Sequence, residues 1–514
     1  MLSSLSGPLD RLADRERVPQ TNLASPTVWL PVIVLCAVGL ALRLIDFNRG
    51  LWEDEMTVAY YTEIGVRNVI QTVALNGSHP PLYFLLVAVD AHLGMGVVAA
   101  LRAPSVAAGV ATIAVVYLLV LRLVGRAGAL LAAALVTFSP FLIWYSDEGR
   151  MYALVWFFVL VSYLLLVWGH DSRHWRIFAI LHGASVGLAL WTDYSAALAL
   201  APQVLLILLL RHRGWFLGSW VVGWISILPW FFFLREQLGR IEAQRFPGLG
   251  QDLQSWVTVL LNLAWVRADY ASLGNTLPSV ALVVLLILLV VAAAGTVVAG
   301  AIGRLRAAVV ALCLTGGAFA VALALALQGT QAVILPRVLG VITFGFVLVF
   351  ATAAALLIAR DSRVMRAVAA ACAAVLLAVV IGSTADVLQN GTNGVQWDRV
   401  AHTIQANAQP GDELIYYPIA AKYAVEPYLP KASPWHTRFD GSWPKDAATA
   451  DQSFATWTAG KDRVWVVFYA LTGVDMPQRD VWFTQHNLCR LSGDPMAGLG
   501  LMEYQASPGG CPPT

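Results

Sequence analysis

The sequence predicts a polytopic α-helical membrane protein of about eleven spans, followed by a small extracytoplasmic α/β domain. Three observations lead there. The chain has 514 residues, of which 58% are hydrophobic and only 12% charged, about half the charged fraction of ordinary soluble domains. Its mean hydropathy is +0.68. Apolar runs of about 17–25 residues, each long enough to cross a bilayer as a helix, recur over the first three quarters.

The elements follow in order. Residues 1–26 are polar and mixed in charge, unlike a cleaved signal peptide, so the first span, 27–44, is expected to remain as an anchor. Of 33 basic residues only Lys422, Lys431, Lys445 and Lys461 are lysines, so every cation among the spans is arginine. That skew, with heavy use of Ala, Val and Gly, suggests a bacterial chain, hence the bacterial plasma membrane. Positive loops stay inside, which assigns Arg122/Arg126, Arg173/Arg176, Arg211/Arg213, Arg304/Arg306 and Arg360/Arg363/Arg366 to the cytoplasm. The spans then fall near 27–44, 104–121, 127–143, 151–168, 177–191, 195–210, 215–234, 279–302, 307–327, 338–358 and 367–386. An odd number with the N-terminus inside puts the tail outside. The run 80–94, "PPLYFLLVAVDAHLG", is short for a span and contains Asp90 and His92. It reads as an interfacial or re-entrant helix within a long first outer loop, 45–103.

The composition turns polar near residue 389. The stretch 397–418 reads as helix, Pro410-Gly411-Asp412 turn and strand (414–417); 462–471 reads as a second strand and 476–487 as a helix. The domains are therefore 1–26, a cytoplasmic segment; 27–388, the membrane domain; and 389–514, the extracytoplasmic domain. Cys36, Cys313 and Cys372 lie in apolar spans and read as packing residues. Cys489 and Cys511 lie in the tail and are expected to pair if it is in an oxidising compartment. The net charge of +2 gives no sign of nucleic-acid binding. No phosphate-binding glycine loop is present, so nothing points to ATP-driven transport.

This topology collects charge on the outer face. "WEDE", "SHPP", "WYSDEGRMY" (144–152), "WTDY" (191–194) and "ILPR" (334–337) all fall in outer turns. So do Arg102, Arg150, Arg245 and Arg337, against the positive-inside bias. Charged groups that defy the bias are functional candidates. Each also has a plain structural reading. One of Glu53, Asp54 and Glu55 would cap the helix that follows, worth about 1 kcal/mol, a duty that falls to Glu53 or Glu55. His79, before Pro80-Pro81, would bond a helix start or contact a substrate. Asp147, Glu148 and Arg150 would neutralise one another in their turn, or Glu148 would face a reacting centre or metal and Arg150 grip a phosphate. Tyr152 reads as an interfacial aromatic or a ligand contact. Asp193, at a helix end, is ambiguous. Arg337, at the start of a span, favours anion binding.

In order and spacing, "LWEDE", "HPPLYF", "LRAPSVAAG", "WYSDEGRMY" and "ILPRVLG" resemble the GT-C membrane glycosyltransferases. The similar branch includes protein O-mannosyltransferases and bacterial lipid A aminoarabinose transferases. The likeness is dense over about 43–170 and thin beyond. It implies transfer of a sugar from a polyprenyl phosphate on the outer face of the membrane. It also implies that Asp54 of the Asp54-Glu55 pair is the base that deprotonates the acceptor. His79-Pro80-Pro81 matches the family's His-Pro-Pro. Ser146, Glu148, Arg150 and Tyr152 match its Ser-x-Glu-x-Arg-x-Tyr turn, and Arg337 its late outer-loop arginine. The chain departs from the pattern at Gly149, usually Ala; at Val338, often Tyr; and at Asp193, where many relatives carry His.

A polyprenyl phosphate is already a stable leaving group. An inverting displacement therefore needs one base at the acceptor hydroxyl and cations on the departing phosphate. Asp54 fills the first role; Arg150 and Arg337 fill the second. A divalent metal joining Glu148 or Asp54 to the phosphate is compatible with this chemistry, but no ligand spacing calls for one. The expected partners are a polyprenyl-phosphate sugar, the bilayer, and a glycan, lipid or protein acceptor. Two other classes compete. A lipid-linked sugar flippase or transporter would place its charges near the midplane. A non-catalytic scaffold with the same shell would be expected to have lost Asp54.

Overall fold

The structure, a computed structural model, describes residues 25–243, 304–327, 336–360, 362–391, 397–417, 420–430, 436–439, 456–469, 488–496 and 499–506. Two compact units make up the chain. One gathers Met1–Phe47, Gly65–Met95 and Ala99–Thr392; the other gathers Asn48–Ile64, Gly96–Val98 and Asn393–Thr514.

The first unit is helical. Among its described residues seven helices are long and apolar enough to cross a membrane, or eight if the bent pair Arg126–Phe138 and Pro140–Asp147 is one span. The chain is thus a multi-pass helical membrane protein. Each expected span overlaps a helix except 279–302, which lies outside the described residues. The shortfall from eleven has local causes. The Trp175–Thr192 helix carries Arg176 and His182, which dilute its hydropathy. The 195–210 run is interrupted at Pro202, between the helices Ala196–Leu200 and Val204–Ile207. Proline lacks the amide N–H that a continuous helix uses. The expected 127–143 span bends by 55° where Ser139 caps a new helix with Pro140 at its first position. Leu82–His92, at 11 residues, is too short to cross alone.

The organising element is the 28-residue helix Val97–Val124. One end carries Arg102 and Ser105, and its far end carries Arg122. Seventeen residues separate Ser105 from Arg122, about 26 Å of helix, close to one hydrocarbon thickness of ~30 Å. Two charged layers one membrane apart are thus built on a single helix. The first span, Pro26–Leu44, lies against it: Tyr117 Oη donates to Val28 O at 2.9 Å. A Cβ on Gly39 would sit 2.4 Å from Ile113 Cδ1, so glycine here lets the two helices approach without moving that side chain.

The second unit contains a five-stranded sheet in the order β2-β1-β3-β5-β4. β1 (Glu413–Tyr417) lies next to the edge, parallel to β2 (His436–Phe439) and to the central β3 (Arg463–Tyr469). β5 (Leu499–Ala506) runs antiparallel to β3 and to β4 (Leu488–Met496). The helix Trp397–Asn407 precedes β1. Between them Gly411 takes the left-handed φ of 99° that the turn requires. Asp412 Oδ2 accepts from Gln409 N (2.8 Å), Arg463 Nη2 (2.9 Å) and Trp465 Nε1 (2.8 Å). The helix expected over 476–487 lies outside the described residues. Cys489 is held in a disulfide; Cys511, its expected partner, lies outside the described residues. Cys36, Cys313 and Cys372 are free.

The expected boundaries keep the whole loop 45–103 with the membrane domain, whereas residues 48–64 and 96–98 pack with the tail. The cause is aromatic. Trp397 is fully buried, and its indole N–H needs an acceptor, which it finds in Leu51 O at 2.6 Å. Tyr60 sets its ring edge-on to Tyr423, centroids 6.0 Å apart. Lys422 reaches Glu63 at 3.3 Å.

Candidate active site

In the membrane unit, four segments distant in sequence meet around the 146–150 turn. The Pro140–Asp147 helix ends there, and Glu148 is extended (φ −89°, ψ 132°). Arg150 N donates to Glu148 O at 2.7 Å, closing a three-residue turn. Ser105 Oγ donates to Arg150 O at 2.6 Å. Ser105 is in turn bonded to Tyr83 Oη at 2.9 Å, and that phenol donates to Leu101 O at 2.6 Å. The tyrosine of "HPPLYF" and the serine of "LRAPSVAAG" therefore hold the backbone that presents Arg150. Room is left by Gly109, where a Cβ would sit 2.2 Å from Ser146 Oγ.

His79 joins Arg150 to Asp193. Its Nδ1 lies 2.8 Å from Asp193 Oδ2 and its Nε2 lies 3.2 Å from Arg150 Nη2. A guanidinium only donates, so Nε2 accepts and the ring proton sits on Nδ1, pointing at the carboxylate. Burial pushes the Asp193 carboxyl upward, but the hydrogen bonds from His79 and Ser195 outweigh it and hold Asp193 below its ordinary value. Ser195 N donates to Asp193 Oδ1 at 2.8 Å, an Asx turn that fixes the carboxylate at the end of the Trp175–Thr192 helix.

Tyr152 is the meeting point of two cations. Arg150 Cζ lies 5.8 Å from its ring centroid and Arg337 Cζ lies 5.7 Å from it, both within cation–π range. An aromatic wall supports the ring: Tyr145 meets it edge-on at 5.6 Å, and Trp156 packs on Phe141 at 5.7 Å. A Cβ on Gly340 would sit 2.0 Å from Trp156 Cζ2. Glycine at 340 thus lets the chain pass the Trp156 ring just after the short helix Pro336–Leu339, which carries Arg337. Glu148 is fully buried and Asp147 nearly so. Arg102 is fully buried and donates to Phe47 O at 2.5 Å.

Sequence reasoning overlooked Arg43. It is 1% exposed, donates to Gly39 O at 3.0 Å and interacts electrostatically with Asp147. The signal was present, since an arginine inside an apolar span is rare and calls for a partner. Tyr83 and Ser105 lie in quoted motifs but had no assigned role.

Asp54 and Glu55 belong to the other unit, on the helix Glu53–Ala59. Glu55 is fully buried, and its Oε2 accepts from Trp52 N at 3.3 Å. That is the third-position half of a capping box, so Glu55 has the capping duty. Asp54 is half-buried. Arg245 lies outside the described residues. Among those described, no three His, Cys, Asp or Glu side chains group as metal ligands.

The helical bundle, with its buried arginines and carboxylates at one end of the spans, has the GT-C fold. Residues 78–234 match the family model described as dolichyl-phosphate-mannose-protein mannosyltransferase. The chain is similar in structure to ArnT from Cupriavidus metallidurans in the apo state. The identity is 13% and the TM-score 0.56, over 95% of this chain and 99% of that one. Against the same protein bound to undecaprenyl phosphate the identity is 15% and the TM-score 0.56, over 95% and 100%. It is also similar to the arabinofuranosyltransferase AftD from Mycobacteria, with 14% identity and a TM-score of 0.51, over 96% of this chain but 40% of that one. No curated protein matches the chain by sequence.

Proposed function

We propose that the protein is a membrane glycosyltransferase that moves a sugar from a polyprenyl phosphate to a hydroxyl acceptor on the outer face of a bacterial plasma membrane. The observation that carries this reading is the convergence of Arg150 and Arg337 on Tyr152, in a chain with the GT-C fold. Two guanidiniums gathered at one ring suit a phosphate, with planar forks matched to its oxygens. The neighbouring ArnT structure with undecaprenyl phosphate supports the same donor class.

In this mechanism an acceptor oxygen attacks the anomeric carbon as the bond from that carbon to phosphate breaks. The configuration inverts, and polyprenyl phosphate leaves as an anion. Asp54 takes the proton of the acceptor hydroxyl. Arg150 and Arg337 stabilise the charge that grows on the phosphate. Asp193, acting through His79, orients Arg150. Glu55 holds the start of the helix that bears Asp54. The tail faces the outside, and the acceptor hydroxyl belongs to an envelope glycan, a lipid or a protein.

The test is Asp54→Asn in proteoliposomes with a radiolabelled lipid-linked sugar and envelope extract. Transfer should fall to background with normal insertion, whereas wild-type turnover would overturn the base assignment. Arg337→Ala should raise KM for the lipid donor; a KM change confined to the acceptor would remove its phosphate role.

A further inference from the structure

The far end of the Val97–Val124 helix has a different electrostatic character. The segments 122–126, 169–176, 211–215 and 304–306 contain eight arginines and a single acid, Asp171. They lie at the ends of helices apolar enough to cross a membrane, the depth of lipid headgroups. Asp171 Oδ2 is shared by Arg122 at 2.8 Å and Arg306 at 3.5 Å.

Four other arginines meet no carboxylate among the described residues. Arg126 donates to Thr27 O at 2.8 Å, and Arg304 to Leu123 O at 3.4 Å. Arg173 contacts His174 Nε2 at 2.9 Å, and Arg176 lies over the Trp175 ring at 5.0 Å. Arg126 and Arg304 bracket one turn, residues 123–126, beside the Arg122–Asp171–Arg306 group. Arg126 is exposed and Arg304 partly so. Trp175, stacked on His212 at 4.3 Å, and Trp215, 59% exposed, supply the aromatic flank typical of the interface.

We propose that this end of the bundle is a binding site for anionic phospholipid headgroups, with Arg126 and Arg304 as its principal cations and Arg122 and Arg306 behind them. The occupant is a membrane phosphodiester, because the cations sit where a span leaves the hydrocarbon and the Trp175–Trp215 flank favours the same depth. Cations at this depth attract anionic leaflet lipids. The proposal does not depend on the transferase reading.

The test is native mass spectrometry of the full chain released from nanodiscs of equal parts phosphatidylcholine and phosphatidylglycerol. Phosphatidylglycerol should dominate the retained lipid. Its enrichment should fall by about fivefold for each arginine removed in Arg126→Gln and Arg304→Gln. The double Arg126→Lys/Arg304→Lys variant should keep most of it, and Arg363→Gln, a control outside the cluster, should keep all of it. Size-exclusion elution reports that each variant is folded. Equal retention of both lipids, full enrichment in the double glutamine variant, or an equal loss in Arg363→Gln would overturn the proposal.

Discussion

The two ends of the Val97–Val124 helix use arginine in opposite ways. At the Ser105 end, Arg43, Arg102 and Arg150 are buried and held by carbonyls, a histidine and nearby carboxylates. At the Arg122 end, Arg122 and the buried Arg306 share one aspartate, while the more open Arg126, Arg304 and Arg176 meet carbonyls and a ring. Desolvated charge is costly unless its geometry is fixed, so the first end is rigid and specific. Solvated charge is cheap, mobile and screened, so the second end suits a surface that meets many similar headgroups. The contrast predicts that equal substitutions at the two ends have unequal effects.

The largest difference should appear in activity. Arg150→Gln removes a cation from the proposed phosphate site and should lower kcat by about 10²–10³-fold, the usual loss for a transition-state charge contact. Arg122→Gln, at the other end, should leave transfer within about twofold. Steady-state kinetics with one lipid donor decides it. Comparable losses at both ends would mean that the comparison reflects folding and not chemistry.

Stability should separate the ends next. Arg43→Gln removes a buried guanidinium that donates to Gly39 O and whose charge acts on Asp147, and should cost about 1–3 kcal/mol, the range for losing a buried hydrogen bond. The midpoint of thermal inactivation in detergent measures it. An unchanged midpoint would mean that the first span does not brace the 146–150 turn.

A pH titration sharpens the first end further. Asp193 has a folded pKa below its unfolded value, near 3.9 for an ordinary aspartate, so its contribution is complete above that value and is lost as pH falls through the lower, folded one. The stability gap between wild type and Asp193→Asn should therefore hold steady from pH 7 to about pH 5 and close only below about pH 4. A gap that closes between pH 7 and 5 would remove the hydrogen-bond account of the His79–Asp193 pair.

Much of the first end was legible in the sequence because its motifs are local. "SDEGR" announces a charged turn between apolar runs, whereas the breaks at Pro140 and Pro202 were read through as the continuous spans 127–143 and 195–210. Non-local partnerships were not legible. Nothing local in "HPP" or "TDY" says that His79 will join Arg150 to Asp193, 114 residues away. Nor does "GLWEDE" reveal that Leu51 O will receive the indole of Trp397, 346 residues on, which moves residues 48–64 from the membrane domain to the tail. Capping was legible in kind, but the choice of Glu55 over its neighbours depends on which carboxylate the helix turns inward. Arg43 was missed because a single charge does not disturb the hydropathy of a long span, although its cost should have prompted a search for a partner.

The smallest effect lies at the second end, and its asymmetry is informative. Arg122 and Arg306 share one carboxylate oxygen, and the Asp171 side chain is 37% exposed. Solvent screening limits such a pair to about 0.5 kcal/mol, so Arg122→Gln should shift the thermal midpoint little. The shift should shrink further as salt shortens the Debye length. Asp171→Asn should cost more than Arg122→Gln, because it leaves two guanidiniums facing each other with no anion between them, and adding phosphatidylglycerol should recover part of that loss if headgroups can replace the carboxylate. Equal, salt-independent costs for the two substitutions would place this end in the same buried regime as Arg43 and erase the difference between the two ends of the helix.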